Sequence, residues 1–204
     1  MTRVWTIDGI TPVVDPAAFV HPSATLIGDV IVGAGVYIGP SASLRGDFGR
    51  IVVEEGANLQ DCCIVHGFPQ ADTVIEANGH IGHGAILHSC RVRRHALVGM
   101  GAVVNDNADI GEWAMVAALA FVKAGMVVPP RTLVAGIPAR PVRELTEDEL
   151  RWKSDATRQY QELAVRSLRT MKEATALTAV EPDRRRLELP DVLPLAAYKK
   201  SVGR

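Results

Sequence analysis

The run Gly79-His80-Ile81-Gly82-His83-Gly84-Ala85-Ile86-Leu87-His88-Ser89-Cys90 holds three of the chain's six histidines, set among glycines and aliphatics. His66 precedes them by one short stretch. Neutral imidazole is a common transition-metal ligand. Three imidazoles with an open fourth position make a catalytic zinc site, whose bound water has its pKa lowered to ~7. Such chemistry needs a scaffold that holds residues far apart in sequence in register.

That scaffold is legible as a six-residue repeat. Aliphatics recur at Val20, Leu26, Val32, Ile38 and Leu44, then at Val53, Leu59 and Val65, and then at Ile75, Ile81 and Leu87. After one five-residue step they continue from Val92 to Val134. A small side chain often stands four residues after each aliphatic, as at Ala24, Ala42, Cys63, Ala85 and Ala102. Period six is neither helical nor a long alternating strand. It fits short strands joined by turns, with the aliphatics pointing into a prism, which is the hexapeptide signature of a parallel β-helix. Three hexads per coil give about seven coils. The step from Leu44 to Val53 has three extra residues and that from Val65 to Ile75 has four. The second contains His66-Gly67-Phe68-Pro69-Gln70-Ala71-Asp72, which reads as a protruding loop. The repeat domain spans residues 1–141. In residues 142–204, Thr146 and Glu149 form a capping-box pattern. Leu150, Tyr160, Leu163 and Leu168 predict an amphipathic helix to about Thr175, followed by an extended tail over 181–204.

Counting hexads places side chains in columns. Arg45, His66 and His88 fall on one face in successive coils, and Asp61 and His83 fall on a neighbouring one. Coils stack ~4.8 Å apart, so His66 and His88 can reach one metal ion. His83 lies at a different corner, so a third ligand comes from a turn or from another copy of the chain. Three prisms around a threefold axis would bring His83 of one chain to His66 and His88 of the next. They would also set Arg45 opposite a neighbour's Asp61. His21, His80 and His95 lie outside these columns and read as structural. Cys62, Cys63 and Cys90 read as buried, unreactive thiols.

Composition narrows the remaining classes. The net charge is −1 and 48% of residues are apolar, so a nucleic-acid partner is not expected. Three cysteines make no disulfide framework, no signal peptide is visible, and no apolar run reaches the ~20 residues of a membrane span. A cytoplasmic protein is expected, with no membrane partner.

The stretches Arg45-Gly46-Asp47, Gln60-Asp61, His66 and His83…His88 resemble the γ-class carbonic anhydrase family of hexapeptide-repeat proteins. That resemblance implies a left-handed β-helix and a homotrimer with active sites between subunits. It implies His66, His83 and His88 as ligands of Zn2+, with Fe2+ or Co2+ also suited to imidazole. It further implies an Arg45–Asp61 network with Asp47 at the subunit interface, and Gln60 beside the metal-bound water. Within the family, Ile7-Asp8-Gly9, Leu44–Arg50, His66-Gly67-Phe68-Pro69 and Glu149–Lys153 are similar to thioesterases of phenylacetate degradation. Those act on CoA esters including a seven-membered-ring product. A carnitine-operon branch is nearly as similar.

The expected reaction is hydrolysis of an acyl-CoA thioester by metal-bound hydroxide, with Gln60 orienting the water. Arg91, Arg93 and Arg94, just beyond His88, are candidates for the CoA phosphates because guanidinium groups match phosphate geometry. The alternatives are carbonic anhydrase activity, an accessory role in carnitine metabolism, and a hexapeptide acyltransferase with a histidine general base. Fast CO2 hydration is disfavoured by Phe48 after Asp47. The stretch from Gly67 to Gly79 also offers only Asp72 and Glu76 to carry protons.

Overall fold

The computed structural model describes residues 3–188 and 193–201. The hexads close into a left-handed parallel β-helix of about seven turns, as expected. Each turn contributes one short strand to each of three faces. The first face stacks the leading half of Thr25–Val32, the leading half of Ser43–Val53, then Ile64–His66, Ile86–His88, Val103–Val104 and Phe121–Val122. The second stacks the trailing halves of the same two long strands, then Thr73–Ile75, Arg91–Val92, Asp109–Ile110 and Val127–Val128. The third runs from Phe19–Val20 through Tyr37–Ile38, Asn58–Leu59, His80–Ile81, Leu97–Val98 and Met115–Val116 to Thr132–Gly136.

The repeat's aliphatics form three columns inside the prism. Leu26, Leu44, Val65, Leu87, Val104 and Val122 are wholly buried on the first face, and Ile38, Leu59, Ile81, Val98, Val116 and Val134 on the third. Each such burial stabilises by roughly 1.5–3 kcal/mol. The alanines after them line the corners with at most 1% exposure, because a larger side chain would stop the corner closing.

The two period breaks behave differently. The residues after His66 leave the strand as a loop, as expected. The three extra residues after Leu44 make no loop. Ser43–Val53 runs through the corner as one strand of 11 residues. Gly46 allows this, since a Cβ there would lie 2.4 Å from the Asp29 carbonyl oxygen.

The capping box forms at Thr146 and Glu149, and helix α1 spans Glu147–Thr170. It runs along the corner between the second and third faces. That corner is a column of left-handed residues, Gly56, Asn78, His95, Trp113 and Arg131, with φ between 55° and 64°. The helix grips it rung by rung. Glu147 pairs with Arg131. Lys153 Nζ lies 5.6 Å from the Trp113 ring centre and donates to Asn78 O at 2.7 Å. Gln161 Nε2 donates to Gly56 O at 3.0 Å. The helix rises ~21 Å from Glu147 to Gln161, close to the ~19 Å of four coil steps. Tyr160, Leu163 and Ala164 pack on Phe19 and Tyr37 of the third face. The helix stops five residues short of the expected end. Ser167 is its last buried residue, and a helix end without packing is marginal. Leu168, expected on the packed face, is half-exposed for the same reason.

The tail is not extended throughout. Leu195–Ser201 form a second helix, α2. Trp152 Nε1 donates to Leu193 O at 2.9 Å, and Lys199 pairs with Glu149 at 2.7 Å. Residues 189–192 and 202–204 of the expected tail lie outside the described residues.

Candidate metal centre

The register pairs His66 with His88 on the first face, as the hexad count requires. Their facing nitrogens, His66 Nδ1 and His88 Nε2, lie 3.1 Å apart. The opposite nitrogens are each held by a carboxylate. His66 Nε2 meets Asp47 Oδ1 at 3.0 Å, and His88 Nδ1 meets Asp106 Oδ1 at 2.5 Å. A carboxylate accepts, so those two nitrogens carry hydrogen. In neutral imidazoles that leaves two lone pairs directed at each other, an arrangement that a proton or a metal cation between them relieves. Metal–nitrogen bonds of 2.0–2.1 Å in a tetrahedral site put the two nitrogens ~3.3 Å apart, close to the spacing observed.

His83 stands at the corner between the third and first faces, in the coil of His88. Its Nδ1 is 2.6 Å from Asp61 Oδ2, so the Asp61–His83 column also forms. Its backbone N–H donates to Gln60 Oε1 at 3.2 Å. Its other ring nitrogen, Nε2, lies 3.5 Å from Tyr160 Oη, too long for a strong hydrogen bond. Burial pushes the Tyr160 phenol up to about 12, so it stays protonated. All three candidate ligands therefore carry a carboxylate on one nitrogen and offer the other. Such carboxylate–histidine pairs fix the tautomer and ring orientation of metal-binding histidines. Among the described residues of one chain, no three His, Cys, Asp or Glu side chains gather around a single point. The chain on its own thus brings together two of the three candidate ligands.

Arg45 and Asp61 both have partners inside the chain. Arg45 Nη1 donates to Asp47 Oδ2 at 2.8 Å, which backs the carboxylate holding His66. Asp61 orients His83. Gln60, expected beside a water, is buried and has its amide fully engaged. Its Nε2 donates to Asn58 Oδ1 at 3.1 Å and to His80 Nε2 at 2.8 Å, while its Oε1 takes the His83 N–H. In this chain Gln60 positions His83. The three arginines diverge. Arg91 and Arg93 are bonded to Glu76 at 2.9 and 3.3 Å, and Arg93 also forks onto Asp109 at 2.8 and 2.6 Å. Arg94 is exposed, and its backbone N–H donates to Glu76.

The residues read as structural keep that character. His80 is buried beside Gln60; because Gln60 donates to its Nε2 and the Thr157 hydroxyl donates to Lys153 O, Nδ1 carries the hydrogen that meets Thr157 Oγ1 at 3.2 Å, with Asn58 Nδ2 at the same distance. Burial, with Lys153 and His83 nearby, drives its pKa down to about 3. His95 stacks on Trp113 at 4.1 Å, and His21 meets Ser23 at 2.8 Å. Burial pushes the Cys63 and Cys90 thiols up to about 11 and about 12, which leaves both unreactive. Cys62, by contrast, is exposed, because it occupies a left-handed corner with φ 59°.

Asp106 escaped the hexad count. The column Arg45, His66, His88 extends by one coil to Asn105, the residue after Val104. The register keeps Asn105 in line with His88, and Asp106, one residue further into the turn, reaches back to the ring with its carboxylate.

No protein-family profile matches the chain. Whole-length relatives do. A carnitine operon protein CaiE from Salmonella agona is 57% identical over 194 residues, 95% of this chain and 98% of its own. CaiE from Escherichia coli K12 is 56% identical over 191 residues, 93% and 97% of the two chains. These names favour the carnitine-operon branch and give no support to the phenylacetate assignment. Two solved structures share the fold. A Bacillus cereus protein described as a candidate acetyltransferase has TM-score 0.81 and 34% identity, over 82% of this chain and 97% of its own. An Anaplasma phagocytophilum hexapeptide transferase family protein has TM-score 0.77 and 38% identity, over 80% and 96%. No helix among the described residues is long and apolar enough to cross a membrane.

Proposed function

Because the chain belongs to the CaiE family of hexapeptide-repeat proteins, we propose that it serves a carnitine-operon type of pathway as a metal-dependent acyl-CoA thioesterase. One observation carries this reading. Each of His66, His83 and His88 has one ring nitrogen on a carboxylate and the other directed away from it. His66 and His88, with His83 from a second copy, would hold the metal in a homotrimer. The exposed Ile64, Ile86, Met100 and Leu119, on the first face and at the His83 corner, supply an apolar surface for that copy to cover. Zinc held by three imidazoles lowers the pKa of a bound water to ~7 and polarises a carbonyl.

The chain's own residues have defined parts. Asp47, Asp61 and Asp106 keep hydrogen on the far ring nitrogens, so the near nitrogens stay available as donors. Arg45 balances the Asp47 charge. Gln60 fixes the His83 backbone. Arg94, the uncommitted arginine of the three, would contact a CoA phosphate. A second reading, acyl transfer, is favoured by the transferase names of the two similar structures. There, His88 backed by Asp106 would serve as general base.

The test is turnover of acyl-CoAs by metal-assayed protein, with and without an amine or alcohol acceptor, beside CO2 hydration. Acceptor-independent thioester hydrolysis that vanishes on metal removal is expected. Chelator-resistant transfer to an acceptor would install the second reading, and rapid CO2 hydration without thioester hydrolysis would install carbonic anhydrase.

A further inference from the structure

Two phenyl rings flank the histidine pair and are more than half exposed. Phe48 is 63% exposed and its ring centre lies 5.4 Å from that of His66. Phe68 is 52% exposed and meets His88 edge-on at 4.9 Å. With His66 and His88 at 5.2 Å, the four rings make a continuous aromatic wall. Neither phenylalanine belongs to a buried core cluster.

The Phe68 ring is nevertheless held in place. Its backbone N–H donates to Ser89 Oγ at 2.6 Å, and its carbonyl accepts from Ala71 N at 3.2 Å. Thr73 Oγ1 donates to His66 O at 2.7 Å and closes the loop base. Gly49 lets the loop sit down on the strand, since a Cβ there would lie 2.4 Å from Phe68 O. A loop tied at these points around an exposed ring is built to present that ring beside His88.

We propose that Phe48 and Phe68 form the acyl-binding wall of the site and select thioesters with a bulky apolar acyl group over acetyl. The identification of the ligand as an acyl-CoA rests on the thioesterase reading. The wall itself rests on the ring geometry. A bulky acyl group would lie along the rings with its carbonyl at the His66–His88 gap, and an acetyl group would leave the rings in water. Exposed aromatic surface beside a reaction centre yields discrimination by the contacts a small substrate cannot make.

The experiment uses the full chain and two CoA thioethers that cannot be hydrolysed, S-benzyl-CoA and S-ethyl-CoA, with binding measured by calorimetry. Wild type should bind the benzyl thioether about tenfold or more tightly than the ethyl one. Phe48→Ala with Phe68→Ala should bring the ratio to within about twofold of one. Because both rings are exposed, circular dichroism and melting should show the double variant folded. Equal affinities in wild type, a preference that survives in the double variant, or no binding of either thioether would each overturn the proposal. The two readings fail separately. A benzyl preference in a protein that hydrolyses no thioester removes the reaction and leaves the wall. Thioester hydrolysis without the preference removes the wall and leaves the reaction.

Discussion

The chain contains two polar clusters in the same two coils, one on the first face and one on the third, and they are built on opposite terms. At the His66–His88 cluster every imidazole has a carboxylate on one nitrogen, and the side chains are between 14% and 46% exposed. Under helix α1, His80 and Lys153 are almost wholly buried and have amides, a hydroxyl and carbonyls as partners. Carboxylates prepare an imidazole to donate its other lone pair to a cation. Burial without a carboxylate drives a base towards its neutral form. Histidine content alone therefore does not mark a site; the partner of each ring nitrogen does.

The largest effect expected on this contrast is at His88. His88→Ala removes one of two ligands supplied by the same face. It should abolish turnover and weaken metal binding by more than about a hundredfold, beyond the range for loss of an outer partner. Metal content after dialysis and acyl-CoA hydrolysis measure both. His80→Ala should leave bound metal largely in place while lowering the melting temperature. The reverse pattern would exchange the roles of the two clusters.

The next effect concerns stability. Burial lowers the Lys153 pKa from its usual 10.5 to about 7. Between those values the unfolded chain binds more protons than the folded one, so stability rises with pH across that window. At pH 7 and below the cost is greatest, on the order of 5 kcal/mol for such a shift. Lys153→Met should relieve it and lose about 1–3 kcal/mol through the unpaired Asn78 carbonyl. The variant should melt higher than wild type at pH 7, and its advantage should shrink by pH 10. A lower melting temperature at both pH values would show that Lys153 is held charged and well paired.

The sequence made the first cluster more legible than the second, for a physical reason. A hexad count is a statement about backbone register, and backbone pairing puts His66 beside His88 and Asp61 beside His83. It carries no information on what an added helix will cover. Gln60 followed the family pattern to a place beside water, yet Asn58, His80 and the His83 N–H use its whole amide. Arg91 and Arg93 looked free because their partners, Glu76 and Asp109, lie one coil away on either side. The long strand Ser43–Val53 is not legible in a hexad count, because a three-residue insertion can be absorbed at a corner where Gly46 permits close approach.

Asp106 gives a smaller and more selective test. Asp106→Asn keeps shape and polarity but loses the charge that orients His88. Metal affinity should fall 10- to 100-fold, the range for outer-sphere partners, with little change in melting temperature of the metal-free protein. Competition with a calibrated chelator measures the first and calorimetry the second. Unchanged affinity would reduce the 2.5 Å contact to a surface hydrogen bond.

The smallest effect asks whether the clusters are independent. Thr157 of helix α1 accepts the His80 Nδ1 hydrogen and passes its own to Lys153 O at 3.1 Å. His80 in turn holds Gln60, and Gln60 holds the His83 backbone. A path of hydrogen bonds thus links the helix to a candidate ligand, but it reaches the main chain of His83 and not its ring. The ring is set separately by Asp61. Thr157→Val keeps the shape and removes the hydroxyl, which leaves the His80 N–H unpaired at a cost of about 1–3 kcal/mol. Melting should register that loss, while metal affinity should stay within about twofold of wild type, the strand register still holding His83 in place. A tenfold loss of affinity would show that the helix tunes the metal centre, and the two clusters would then have to be treated as one.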